Sequence, residues 1–195
     1  MNKFIQGLDL GAQGVWFPIV IGVIALLFVV LMPKKRLNWM GIYLTFGVVG
    51  YVTIMLDIFI LGQYVDLFDI GDPFLEGIGD LFTYTIIPPC LAVIFLNYFD
   101  RLQKWWYVAF FMAVSFSYEW VLTRLGFMVL KGWQNWYSIP VYFLVYSYWL
   151  PWHFGLLKST RGTIEPDAPL YTAKGIADRH GFNIGRVFSV RKKVR

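Results

Sequence analysis

An acidic and a basic side chain stand inside one of the most apolar stretches of the sequence. The segment "SFSYEWVLTRLG", residues 115–126, contains Glu119 and Arg124 in what otherwise reads as one long apolar helix. A charged group near the centre of a membrane helix costs roughly 2.5–3.5 kcal/mol on insertion scales. Charged groups that are retained there commonly serve proton, ion or ligand sites.

Polar residues at helical spacing extend around this acid. Ser115, Glu119 and Thr123 recur every four residues and therefore share one helix face. On an earlier apolar segment, Thr53 and Asp57 are also four residues apart and form a second polar stripe. We expect the two stripes to face each other in the interior of a helix bundle.

Arg124 follows Glu119 by five positions, about 140° around a helix. This offset favours a pair between Arg124 and Asp57 on the other helix. Two interpretations of the cluster stay open. It is either a proton, ion or ligand site, or a structural feature: a clasp between this helix and the one that carries Asp57, or an Arg124 that only extends towards the headgroups. The structural feature is favoured because no further acid or histidine continues a relay across the membrane.

The composition indicates a membrane protein. Hydrophobic residues make up 58% of the chain and aromatic residues 20%, against 15% charged residues and a net charge of +5. Soluble domains have about a quarter of their residues charged. The single cysteine, Cys90, excludes an intrachain disulfide and a multi-cysteine metal site.

Five segments are apolar and long enough to cross a bilayer, which requires about 20 helical residues. We therefore predict an all-α bundle of five transmembrane helices in residues 1–157, with Pro88 and Pro89 bending or locally unwinding the third. The predicted spans are about 15–32, 39–62, 81–99, 105–126 and 139–157.

The basic residues predict the orientation of this bundle. Fourteen of them fall in connections on one side of the predicted membrane and three on the other. Because basic connections stay in the cytoplasm, the N-terminus is expected outside and the C-terminus inside. The predicted location is a bacterial cytoplasmic membrane, which the chain crosses several times.

The outer connections carry no convincing metal or catalytic pattern. The acidic stretch 63–80 lacks the ligand order of a calcium-binding loop, because Phe68 and Ile70 interrupt it. Trp133, Trp136 and Tyr137 form the aromatic belt expected at headgroup level. We predict no metal and no cofactor.

The last predicted span carries an aromatic, hydrogen-bonding stripe. Tyr142, Tyr146, Trp149 and His153 recur at helical spacing, so we expect them on one face. The lone His153 is expected to be a satisfied interface residue. The chain has no recognised catalytic signature, which favours a non-enzymatic role.

The tail, residues 158–195, is predicted to lie in the cytoplasm. Its basic residues favour binding to anionic lipid or to a cytoplasmic or membrane protein partner, rather than to nucleic acid. An oligomer stays an open alternative. The residues expected to make the tail contacts are Arg186, Arg191, Lys192, Lys193 and Arg195.

Residues 74–157 carry a resemblance to a known family. The stretch "FTYTIIPPCLAVIF", an acid at Glu119 in the next span, and Gly126, Trp133, Trp136 and Tyr137 before a Tyr/Trp-rich span make up the similarity. In this order the features resemble a family of small, uncharacterised multi-pass membrane proteins of endospore-forming Firmicutes. The resemblance implies a helical bundle in a bacterial membrane and implies no activity.

Two functions follow as expectations. The first is a non-enzymatic integral membrane component, either an accessory subunit or an interaction scaffold with a basic cytoplasmic tail. The alternative is a small ion- or proton-coupled transporter or sensor that uses Asp57, Glu119 and Arg124.

Overall fold

The computed structural model describes residues 8–56, 64–72, 77–99 and 104–164, with side chains from 105 to 159 in the last range. Two compact units divide the chain, Met1–Phe154 and Gly155–Arg195. Within the second unit the described residues continue a helix to Ile164. The fold is predominantly helical, as an all-α chain requires.

In the part of the chain that the structure describes, five long helices occupy the positions of the five predicted apolar segments. One of them, Ile78–Tyr98, is long and apolar enough to cross a bilayer by length and composition, among the residues that the structure describes. Two more are apolar but shorter, at 16 residues each. The helices are α1 (Trp16–Leu31), α2 (Trp39–Ile54), α3 (Ile78–Tyr98), α4 (Lys104–Arg124) and α5 (138–164).

Within the described residues, α3 and α5 each contain a complete π turn. In α3 the π turn Phe82–Ile86 lies immediately before Pro88 and Pro89, which have no N–H to donate to the preceding turn. The helix widens there and continues, so the predicted unwinding takes the form of a π turn. In α5 the π turn Val145–Trp149 lies just before Pro151.

A small two-stranded antiparallel sheet joins two connections that are distant in sequence. Strand β1 (Phe68–Ile70) pairs antiparallel with β2 (Met128–Leu130), with Phe68 opposite Leu130. The chain turns from α4 into β2 at Gly126, whose φ of +75° suits glycine. The Phe127 N–H donates to the Leu122 carbonyl, as in a Schellman motif, and both side chains are buried.

A fully buried asparagine ties the end of α3 to the connection between α1 and α2. The Asn97 Oδ1 accepts backbone N–H groups of Lys35, Arg36 and Leu37 at 2.9, 3.1 and 3.3 Å. Its Nδ2 donates to the Pro33 carbonyl at 2.9 Å. We call Asn97 and residues 33–37 the Asn97 knot, in which one side chain replaces secondary structure as the backbone's partner.

Polar and apolar side chains are distributed in an unusual way over the helices. Many apolar side chains are exposed, including Leu31 at 80% and Trp106 at 85%. Several polar side chains are buried instead, among them Thr45, Asn97, Ser115, Glu119, Ser138, Ser147 and His153. Soluble monomers rarely expose large contiguous apolar surfaces.

Candidate functional site

The Glu119 carboxylate is the centre of the best-defined polar cluster in the described structure. Its Oε1 accepts hydrogen bonds from Ser138 Oγ at 2.6 Å and Trp133 Nε1 at 3.2 Å, and its Oε2 accepts one from Tyr142 Oη at 2.7 Å. The side chain is buried, with 7% of the residue exposed. We call these four residues the Glu119 clamp.

The connection after β2 positions two of the clamp's donors. The backbone N–H groups of Lys131, Gly132 and Trp133 all donate to the Leu67 carbonyl, at 2.9 to 3.0 Å. This fixes the chain where the Trp133 indole turns inward. The same indole N–H lies 3.0 Å from Ser138 Oγ, so the donors are themselves linked. Such a linked network holds the carboxylate in one orientation.

The sequence alone did not reveal this role of Trp133. The aromatic belt was predicted to contain Trp133, Trp136 and Tyr137, yet Trp133 is only partly exposed and is bonded to Glu119. Trp136 and Tyr137 are exposed, as headgroup-level residues would be. Trp133 differs from Trp136 and Tyr137 because the fold brings its indole N–H to Glu119. The spacing of residues around Trp133 in the sequence does not indicate this contact.

The polar stripe predicted on α4 is present on one face, but its members have different partners. Ser115 Oγ lies 2.8 Å from Tyr146 Oη on α5. Thr123 donates to the Glu119 backbone carbonyl at 3.0 Å and accepts a long bond from Asn135 at 3.4 Å. The side chains of this stripe therefore hydrogen-bond mainly to residues of α5 and of the connection before it.

Thr53, on the predicted facing stripe, donates to the backbone carbonyl of Val49 at 2.9 Å. Its side chain lines the same cavity as Ser115 and Glu119. Asp57 lies outside the described residues, so its predicted pair with Arg124 stays a prediction.

Arg124 does not join the cluster around Glu119. Its side chain is exposed, and its guanidinium lies 5.1 Å from the centre of the Trp120 ring. The reason is the five-residue offset, which turns Arg124 about 140° away from Glu119. A cation over an indole face is a favourable contact at a surface. In the described residues Arg124 therefore packs on Trp120 and not on Glu119, while its predicted link through Asp57 stays a prediction.

The aromatic stripe of α5 is divided between two neighbouring helices. Tyr142 and Tyr146 bond to side chains of α4, whereas His153 Nε2 lies 3.3 Å from Thr45 Oγ1 on α2. The π turn Val145–Trp149 contains Tyr146 and lies between Tyr142 and His153. Tyr142, Tyr146 and Trp149 line one cavity and the His153 ring stacks on Trp149, so the four side chains stay contiguous while their hydrogen bonds reach two different helices.

A cavity of about 570 Å³ borders the clamp. Its walls come from α2, α3, α4 and α5 together with the small sheet, and both π turns contribute to them. The lining is largely apolar and aromatic. Its polar side chains are Thr53, Thr83, Tyr84, Ser115, Tyr118, Glu119, Trp133, Ser138, Tyr142, Tyr146 and Trp149.

The acidic connection before α3 has its own ion pairs. Lys131 Nζ lies 2.6 Å from Asp66 Oδ1 and 3.0 Å from Asp69 Oδ2, which links this connection to the one after β2. Hydrogen bonds to these two carboxylates raise the pKa of Lys131 above its usual range. Within the described ranges, no group of three or more metal-binding side chains is present.

The predicted tail contacts, Arg186, Arg191, Lys192, Lys193 and Arg195, lie outside the described residues. No family model, curated protein or solved structure matches the chain. The resemblance to the membrane proteins of endospore-forming Firmicutes therefore stays a prediction.

Proposed function

We propose that the protein is an integral membrane protein whose five long helices cross a bacterial cytoplasmic membrane, with the C-terminal tail inside. The observation that carries this proposal is the inverted placement of polar and apolar side chains. Exposed apolar residues such as Ile24, Leu27 and Leu31 on α1 suit lipid chains, while Asn97 and Glu119 are buried. Lipid supplies no hydrogen bonds, so polar groups are retained inside the bundle.

Helix lengths are compatible with this proposal. At 21 residues, α3 extends about 31 Å and matches the hydrocarbon core. The 16 residues of α1 and of α2 extend about 24 Å each, so the ends of these helices need interfacial anchors. Exposed Trp16 and Trp39 begin these two helices and supply amphipathic side chains of that kind.

Within the membrane, the leading role is that of a non-enzymatic component, either an accessory subunit or a scaffold. The tail, residues 158–195, carries nine basic residues against three acidic ones and would bind anionic lipid or a protein partner at the cytoplasmic face. The linked hydrogen bonds of the Glu119 clamp join α4 to α5, which is what a structural clasp requires.

A second candidate function is favoured by one specific observation, the position of Glu119 on a cavity wall. A dry clasp needs no cavity, whereas a small sensor or coupled transporter needs a buried ionisable group that a ligand can reach. Of the three residues expected for this role, Arg124 is exposed and Asp57 lies outside the described residues, so the support for this candidate comes from Glu119.

Cysteine labelling in a Cys90→Ser background tests the membrane proposal. Alkaline extraction should leave the protein in the membrane fraction. An impermeant maleimide added to intact cells should label Gln134→Cys but not Leu170→Cys, and permeabilisation should expose the second. Release by alkali, or outside labelling at position 170, would contradict the proposal.

A further inference from the structure

Glu119 lies on the wall of a cavity whose other lining residues, among those the structure describes, are uncharged. The volume, about 570 Å³, is within the range of small-molecule sites. Within the described part of the chain, Glu119 is the single lining residue with a formal charge at neutral pH. A ligand that matches this surface has an apolar body and one positive charge.

The carboxylate is held in place, but none of the described residues neutralises its charge. The three donors of the clamp are neutral groups, and a carboxylate has about four acceptor positions. The nearest basic residues in sequence are engaged elsewhere, Arg124 on an indole ring and Lys131 on the carboxylates of Asp66 and Asp69. Among the described residues, Glu119 forms no ion pair, so a bound cation would complement it.

The other walls favour an organic cation over a metal ion. Trp133 and Tyr142 line the cavity and bond to the carboxylate, Tyr118 lines the same cavity, and aromatic rings attract ammonium groups. Calcium and magnesium sites are usually built from several carboxylate or carbonyl oxygens, whereas the described lining offers one carboxylate and otherwise only neutral hydroxyl and indole groups.

We infer that the cavity binds a monovalent organic cation with an apolar body, an amphipathic ammonium compound, through the Glu119 carboxylate and the surrounding aromatic rings. This inference rests on the second candidate function and names its ligand class. The clamp then has a binding role, since it orients the one charge that recognises the ligand.

Two probes of the same shape separate charge recognition from apolar filling. Benzyltrimethylammonium carries the positive charge, and neopentylbenzene replaces its nitrogen by carbon. Equilibrium binding of tritiated forms is measured on the full chain in phosphatidylcholine nanodiscs, with protein-free nanodiscs subtracted. The variants are Glu119→Gln and the control Asp66→Asn, which removes a charge outside the cavity.

Wild-type protein and Asp66→Asn should bind the ammonium probe with equal affinity, and Glu119→Gln should bind it at least about tenfold more weakly. The neutral probe should bind all three proteins alike, which shows that the cavity is intact in Glu119→Gln. Equal ammonium binding by Glu119→Gln, or no binding of the ammonium probe to wild type, would overturn the inference. The cysteine-labelling test of the membrane proposal does not depend on ligand binding. A failure of the binding inference therefore leaves the membrane proposal standing, and a failure of the labelling test is recognised separately.

Discussion

Two buried polar side chains, Asn97 and Glu119, are used in opposite ways. Asn97 is neutral, has no exposed surface and binds almost entirely to backbone groups of residues 33–37. Glu119 is an acid held by three side chains at the edge of a cavity. Backbone partners are rigid and cannot be replaced by rotamer changes, whereas side-chain donors can move. The Asn97 knot therefore suits stability, and the Glu119 clamp suits binding.

The largest effect on stability is expected from Asn97→Leu. This change leaves three backbone N–H groups and one carbonyl without their partner, and should reduce the free energy of unfolding by about 3–5 kcal/mol. Unfolding in mixed micelles measures it, with Asn135→Ala as the control because that amide makes one long bond. A loss no larger than the control's would show that the knot is not a stability element.

A smaller loss is expected from Glu119→Gln. The amide keeps one acceptor oxygen for the donors, so the free energy of unfolding should fall by about 1–2 kcal/mol, less than for Asn97→Leu. The same mixed-micelle titration gives the comparison. If Glu119→Gln destabilises the protein more than Asn97→Leu, the contrast between the two clusters is wrong and Glu119 is the main clasp.

The clamp's internal link is tested by Trp133→Phe, which keeps an aromatic ring and removes the indole N–H. Glu119 and Ser138 then lose one donor, so unfolding should become easier by about 0.5–1.5 kcal/mol. Trp136→Phe is the matched control, because that indole N–H bonds only to exposed Gln134. Equal effects of the two substitutions would mean that the inward indole contributes nothing specific.

The smallest effect on stability is expected from Lys131→Gln. Because the pKa of Lys131 is raised in the folded state, its ion pairs contribute below the ordinary lysine value of 10.5 and are lost as pH rises through the folded value. The unfolding midpoint of wild type should exceed that of Lys131→Gln slightly at pH 7, and the two should converge in strong alkali. A difference that persists there would indicate packing rather than charge.

The helix positions were largely accessible from the sequence, because apolar runs, prolines and basic connections are local signals. Glu119 was identified as unusual for the same reason, since one acid in an apolar run stands out. The hydrogen-bond partners of Glu119 could not be identified from the sequence. Trp133 and Ser138 are 14 and 19 residues away and reach Glu119 only because the Leu67 carbonyl and the small sheet fold that connection inward.

Asn97 shows a second limit of sequence reasoning. An asparagine near the end of an apolar helix resembles an ordinary interfacial residue, and nothing in its neighbours indicates four backbone partners some sixty positions earlier. The two described π turns could not be recognised from the sequence either. Pro88, Pro89 and Pro151 signal a disturbed helix, but proline chemistry alone does not decide between a bend, a break and a wider turn.

The π turn Val145–Trp149 has a consequence for how this chain tolerates insertions and deletions. A π turn is equivalent to one residue inserted into an α-helix, and its length is absorbed locally. Removing one residue from it would restore an ordinary helix and rotate everything after it by about 100°. His153 would then leave Thr45 while Tyr142 kept its place beside Glu119. The π turn thus sets the rotation of the helix that follows it, so that one polar stripe on α5 can hydrogen-bond to two neighbouring helices.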